Sequence, residues 1–244
     1  MPISKQLEQL DTNAHSPLSL RGVSLLKSFG YFDFLSLSPR VLQANHNDWG
    51  AVVIKQAESI KHRFFLKNEA KFLEQHPSEY WPKYCDYFSA KGLDYLVVQY
   101  INGTTLSSLG SLMLLESKKT TAPTESSFID INSLESALSA LHSTGYIHGD
   151  IKPSNIVFSA DESMKLVDFG SVRKIGVQLS NERFHSYTES FASPSMISGN
   201  DKVTVMDDWF SLAMTLTCLY TDHYSISSIP SRYSLIINNA QKNG

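Results

Sequence analysis

The chain has 244 residues, 42% hydrophobic and 18% charged, with a formal net charge of -3 at pH 7. That length suits one large domain or one domain built as two lobes, and the apolar fraction can fill a sizeable core, which excludes a disordered chain. No basic excess supports a nucleic-acid binder working by phosphate neutralisation, and two distant cysteines, Cys85 and Cys218, exclude a disulfide framework and fit a reducing cytosol.

Residues 1–20 carry no apolar core segment, so they read as a polar leader and not as a secretory signal. PRVLQAN (39–45) and GAVVIKQA (50–57) are β-rich and flank HNDW, the pattern of a hairpin. In residues 59–76 the apolar residues Phe64, Phe65, Leu66, Ala70 and Leu73 recur at helical spacing. YCDYFSA and LDYLVVQYI predict two more strands around a turn at Lys91-Gly92, and after NGTT the pattern turns helical. KKTTAPTESS (118–127) is a polar loop. DINSLESALSALHSTGY then predicts a helix, with Asp130, Asn132 or Ser133 as cap and Leu134, Leu138 and Leu141 as its stripe. NIVFSADESMKLVDF reads as strand, turn, strand, and residues 171–204 read as a long surface loop. VMDDWFSLAMTLTCLYT is apolar nearly all round, as a buried helix is, and its apolar run is too short and too interrupted by Ser and Thr to span a bilayer. Strands with one helix come first and a mainly helical part follows.

The run HGDIKPSN (148–155), with VDFG placing an Asp thirteen residues after its Asn, resembles the catalytic core of a eukaryotic-type (Hanks-type) Ser/Thr protein kinase. The similarity extends outward in order through AVVIK, NEAKFL, LVVQYINGTTL, SYTESFASPS and DDWFSLA, covering about residues 40–220. It implies an α+β, two-lobed fold: a small β-rich lobe with one helix at 21–101 and a truncated helical lobe at 102–244. The resemblance implies ATP and Mg²⁺ as cofactors and a protein Ser/Thr hydroxyl as acceptor. It assigns the phosphate-holding Lys to Lys55 and its paired carboxylate to Glu69. Adenine would meet the backbone of Gln99 and Ile101, with Val98 as gatekeeper.

Phosphoryl transfer needs positioning and charge neutralisation more than covalent help. Asp150 can orient the acceptor hydroxyl and take its proton, and Lys152 can reach the transferring oxygens. Asn155 and Asp168 offer the hard oxygen ligands that Mg²⁺ prefers. His148 is implied to be a packing residue against Phe169 and Leu73, Thr188 a partner of Asp150 and Lys152, and Asp208 the carboxylate that ties the loop backbone. Taken singly, each has a plainer reading: Asp150 a turn residue, Lys55 a strand-edge charge, Asp208 a helix cap. The ordered set favours the kinase-like fold.

The sequence departs from the family pattern in four places. FLSLSPRV stands where three glycines would let backbone N–H groups approach phosphates. Gly149 replaces the Arg that reads a phosphate on the activation segment, which implies no need for that switch. Ser195 replaces a Glu whose salt bridge reaches a late helix. The chain stops about 24 residues past the buried helix, which implies a shortened second lobe and room for a partner protein to complete it. Two rival readings stay open: a pseudokinase that binds nucleotide as a scaffold, and a small-molecule kinase. Lys152-Pro153 argues against the second, and the retained metal ligands argue against the first. The compact form looks bacterial or effector-like, hence cytoplasmic or delivered into a host cytosol.

Overall fold

The computed structural model describes residues 20–109, 130–221 and 230–243, excepting the side chains of Leu20, Arg21, Tyr220, Thr221, Gln241 and Asn243. The polar leader to residue 19 and the loop at 118–127 lie outside them. The chain divides into two compact units, one reaching Ser78 and resuming at Pro82–Tyr100, the other made of Glu79–Trp81 and everything from Ile101.

The first unit is a five-stranded antiparallel sheet ordered β1-β2-β3-β5-β4. Its strands are β1 (Tyr31–Ser38), β2 (Val41–His46), β3 (Gly50–Ala57), β4 (Tyr84–Ala90) and β5 (Leu93–Gln99). The β2–β3 hairpin and the turn at Lys91-Gly92 stand where the sequence placed them. Lys91 and Gly92 both hold positive φ, at 52° and 83°. Strand periodicity then sorts the side chains. Val52 and Ile54 of β3 join Leu42, Ala44, Tyr95 and Val97 in one core cluster. Val53 and Lys55 alternate to the other face, and α2 (Ile60–Gln75) packs there. Ser59 caps α2 by accepting from His62 N at 3.2 Å. Leu66, Ala70, Phe72 and Leu73 are its buried apolar stripe.

One element of this unit went unread in the sequence. Residues Leu20–Ser28 form a helix, α1, which gives the unit a second helix beside the one expected. Its Leu26 is fully buried in the cluster with Tyr31 and Phe34.

The second unit holds α3 (Ile131–Ser143), α4 (Pro194–Ser198), α5 (Val205–Thr221) and α6 (Ser231–Asn243). Among its strands β6 (Gly103–Thr105), β8 (Ile156–Ser159) and β9 (Met164–Leu166) form one sheet, and β7 (Tyr146–Ile147) pairs with β10 (Arg173–Lys174). Asp130 is the cap of α3, accepting from Asn132 N and Ser133 N, and Leu134, Leu138 and Leu141 are buried. Leu212, Ala213 and Leu216 of α5 are fully buried. A further helix, α6, follows: Glu135 of α3 accepts from Arg232 at 2.6 Å and from the Tyr233 hydroxyl.

The expected surface loop at 171–204 is corrected by the structure. Leu179, Ala192, Met196 and Val203 are buried with Ile147 in a core cluster of their own. The segment has weak periodicity because it buries isolated residues from turns and one short helix, not a regular face. No described helix is long and apolar enough to cross a membrane.

Leu26→Ala should cost about 2–5 kcal/mol, the usual range for a fully buried Leu. Urea denaturation followed by circular dichroism measures it. An unchanged midpoint would show that α1 contributes nothing to the unit.

Candidate active site

In the first unit β3 presents Lys55 opposite Val41 of β2 and Leu96 of β5. Its ammonium donates to both oxygens of Glu69, at 2.7 and 2.9 Å. The Glu69 side chain is 3% exposed and the Lys55 side chain 17%. Gln99 ends β5, and Ile101 opens the second unit two residues later.

The region that lacks glycines is a closed hairpin. β1 and β2 pair up to Ser38 and Val41, leaving Pro39 and Arg40 as the connection. Register shifts at Phe32/Leu35 and Ser36/Ser38 bend β1, and Asp33 takes a positive φ of 54° between the first pair. Gln56 N donates to Arg40 O at 2.9 Å and pins the tip to the end of β3. The strands therefore run into a tight turn of ordinary residues.

The other candidate residues lie in the second unit. The loop from His148 to Asn155 leaves β7 and enters β8. Asp208, with no solvent exposure, accepts from His148 N at 2.8 Å through Oδ2 and from Gly149 N at 2.9 Å through Oδ1. His142 Nε2 meets the same Oδ2 at 2.9 Å. His148 packs against Phe169 with ring centroids 4.8 Å apart and planes tilted by 53°, and its Nε2 donates to Val167 O at 3.1 Å. Burial pulls the His148 pKa below its ordinary value, with Asp208, Asp150 and Asp168 opposing. It is a neutral packing residue in this environment, not a base.

Asp150, Lys152 and Thr188 form a hydrogen-bonded triangle. Lys152 Nζ donates to Asp150 Oδ2 at 2.7 Å and to Thr188 Oγ1 at 2.8 Å, while Thr188 N donates to Asp150 Oδ1 at 2.9 Å. Asn155 is buried, and its amide Nδ2 donates to Asp150 O at 2.9 Å. That bond fixes which end of the amide faces the other way: Oδ1 receives only a long contact, 3.4 Å, from Ser154 Oγ. Val167 N donates to Asn155 O at 2.9 Å, so Asp168 is the next residue after one bonded to Asn155. Asp168 is exposed and left-handed, at φ 67° and ψ 69°. A non-glycine residue held there is strained, and such strain collects at functional positions. Phe169 is fully buried between His148 and Trp81.

Sequence reasoning missed two residues. Asp207 accepts from the hydroxyls of Ser193 and Ser195 and from Thr204 N at 2.7 Å. Ser195, read as a vacated Glu position, therefore has an anchor inside α5. The adjacent acids Asp207-Asp208 were the available signal, but only one was given a task. The other residue is Arg173, 5% exposed, which lies in the stretch read as surface.

A family model described as protein kinase domain matches residues 39–242. The chain belongs to the protein kinase family. Serine/threonine-protein kinase F of Synechocystis sp. is 34% identical over 129 residues, covering 52% of this chain and 24% of its own length. Serine/threonine-protein kinase D of the same organism is 32% identical over 166 residues, covering 64% of this chain and 30% of its own length. Serine/threonine-protein kinase PknB of Mycobacterium leprae is 32% identical over 130 residues, covering 52% and 20%. The chain spans under a third of the length of these relatives. They are bacterial eukaryotic-type kinases, the group the motif order resembles, and kinases of this family use ATP and Mg²⁺.

Asp208→Ala should destabilise the protein by about 1–3 kcal/mol for each of the two loop N–H groups it leaves buried and unpaired. Asp208→Asn, which keeps an acceptor, should cost less. Chemical denaturation of both variants tests this, and an Ala variant as stable as the parent would remove the tie from the loop.

Proposed function

We propose that this protein is a Ser/Thr protein kinase that transfers the γ-phosphoryl group of ATP to a protein hydroxyl. The observation that carries the reading is the Asp150–Lys152–Thr188 triangle beside Asn155. Asp150 orients the acceptor hydroxyl and receives its proton as the oxygen attacks the γ-phosphorus and the β–γ bridging bond breaks. Lys152 offers its charge to the transferring oxygens, and Lys55, aimed by Glu69, holds the other phosphates. The backbone of Gln99 and Ile101 takes the adenine edge.

The residues present fit a hard divalent cation: Oδ1 of the Asn155 amide and the strained Asp168 carboxylate are both oxygen donors. Among the described residues no group of three or more His, Cys, Asp or Glu side chains could hold a metal. A bound Mg²⁺ would therefore rest on Asn155, Asp168 and phosphate oxygens, and would neutralise phosphate charge.

The closed, glycine-free hairpin at Pro39-Arg40 favours a second reading, a pseudokinase that binds nucleotide without transfer. Incubation with γ-labelled ATP, Mg²⁺ and dephosphorylated casein, with Asp168→Ala as control, separates the two. Label on casein or on the protein itself supports the kinase, and Mg-ATP binding without any transfer supports the scaffold.

Asp150→Asn should lower kcat by about a hundred- to ten-thousand-fold, the usual cost of losing a general base. Nucleotide affinity should barely change, whereas Asp168→Ala should weaken Mg-dependent nucleotide binding as well. Full transfer by Asp150→Asn would end its assignment.

Activity should be independent of phosphorylation in the segment after Asp168. Gly149 has a φ of 75°, and a Cβ there would lie 2.8 Å from Ser171 O, so a larger residue would force the backbone to shift, and glycine itself offers no side chain to pair with a phosphate. Replacing Ser180 and Ser186 with Ala and Tyr187 with Phe should leave the rate within about twofold. A collapse in rate that acidic replacements restore would contradict the reading.

A further inference from the structure

Arg173 is the least expected charge in the molecule. Its side chain is 4% exposed, at the start of a strand pair just after the Asp168 turn. Burial pulls its pKa down, and Glu182 is the first of the charges that oppose this. An arginine stays protonated even so, and a buried guanidinium needs partners on every side. Its Nε donates to Ser171 O at 3.0 Å and its Nη2 to Ser186 O at 3.1 Å. Nη1 has no hydrogen-bond partner and faces Glu182 Oε2 at 3.6 Å.

Each partner lies on the segment that ends at Thr188. Ser186 O is two residues before the threonine that donates to Asp150 and accepts from Lys152. Glu182 follows a short 3₁₀ turn whose Leu179 is buried. Arg173 therefore joins the stretch after Asp168 to both halves of the returning segment. Gly149 lies beside the same arrangement: a Cβ there would stand 2.8 Å from Ser171 O, the carbonyl that accepts from Arg173 Nε.

We propose that the Arg173–Glu182 ion pair is a built-in latch that holds this segment in the conformation presenting Thr188 to Asp150 and Lys152, with the Glu182 carboxylate serving where an added phosphate could otherwise supply the negative charge. Glu182 and Arg173 are positioning residues: neither touches the reacting atoms. The latch explains why the segment needs no modification, since its anion is encoded in the chain. It rests on the kinase reading for its consequence in catalysis, but not for the order of the segment.

Glu182 sits at the partly exposed end of the pair, so Glu182→Gln tests the latch with less risk to folding than any change at Arg173. Two readouts apply to the full chain. Trypsin cleavage after the exposed Arg183 reports order of the segment without any activity, and Glu182→Gln should be cut there at least about fivefold faster than the parent while global unfolding stays cooperative. Casein phosphorylation should show kcat reduced by about tenfold with the KM for ATP nearly unchanged, and Glu182→Asp should recover part of both effects. A parent that transfers no phosphate would end the kinase reading, and the trypsin comparison would still decide the latch. Equal trypsin rates for the parent and Glu182→Gln, or an equal kcat in an active parent, would overturn the proposal.

Discussion

Asp208 enters α5 without any solvent exposure and commits both carboxylate oxygens to the backbone N–H groups of His148 and Gly149. A buried charge is costly unless hydrogen bonds replace its lost hydration, and those two amides together with His142 provide them. The loop backbone is consequently fixed from below by an element whose own position comes from fully buried Leu212, Ala213 and Leu216. Asp150 is the next residue after Gly149, so its direction follows from that anchorage. Asn155 closes the loop at the other end by donating to Asp150 O. The loop therefore takes its geometry from the apolar packing of a helix that lies outside it.

The neighbouring carboxylate does a parallel task further along. Asp207 collects Ser193, Ser195 and Thr204, which brackets α4 on both sides. Ser193 also caps α4 by accepting from Met196 N. The segment from Asp168 to Thr204 is thus held by isolated apolar residues, by Asp207 at one end and by Arg173 in the middle. Short irregular segments of this kind have few ladder hydrogen bonds, so buried polar groups with several partners each take over the role of secondary structure.

The regular elements were legible because their periodicities are strong. The stripe Leu134, Leu138 and Leu141, the alternation in β3 and the apolar run of α5 each have one simple interpretation. The loop residues were legible by motif, and the structure brings Asp150, Lys152, Asn155 and Thr188 into direct contact. α1 escaped notice because its apolar residues adjoin a polar leader and its burial depends on a sheet that follows it in the chain. Arg173 and Asp207 escaped because nothing local marks a buried charge. Arginine in a polar stretch looks solvated, and only the fold brings Glu182, Ser171 and Ser186 around it. The closed hairpin at Pro39-Arg40 was visible as missing glycines, but its pinning by Gln56 N was not, since that bond links strands.

His148 gives the fold a sensitivity to acid. Its Nε2 is committed to Val167 O, and its Nδ1 is buried with no hydrogen-bond partner. A second proton would have to sit on that bare nitrogen, in surroundings where burial outweighs the nearby carboxylates and keeps the folded pKa below 6.5. The unfolded chain has no such restriction and takes up the proton near the ordinary value, about 6.5. Stability from this residue is therefore complete above that pH and declines as the medium becomes more acidic, because protons then favour the unfolded chain. Since the same residue's backbone N–H is bonded to Asp208, acid strain on the ring is applied directly to the loop that carries Asp150.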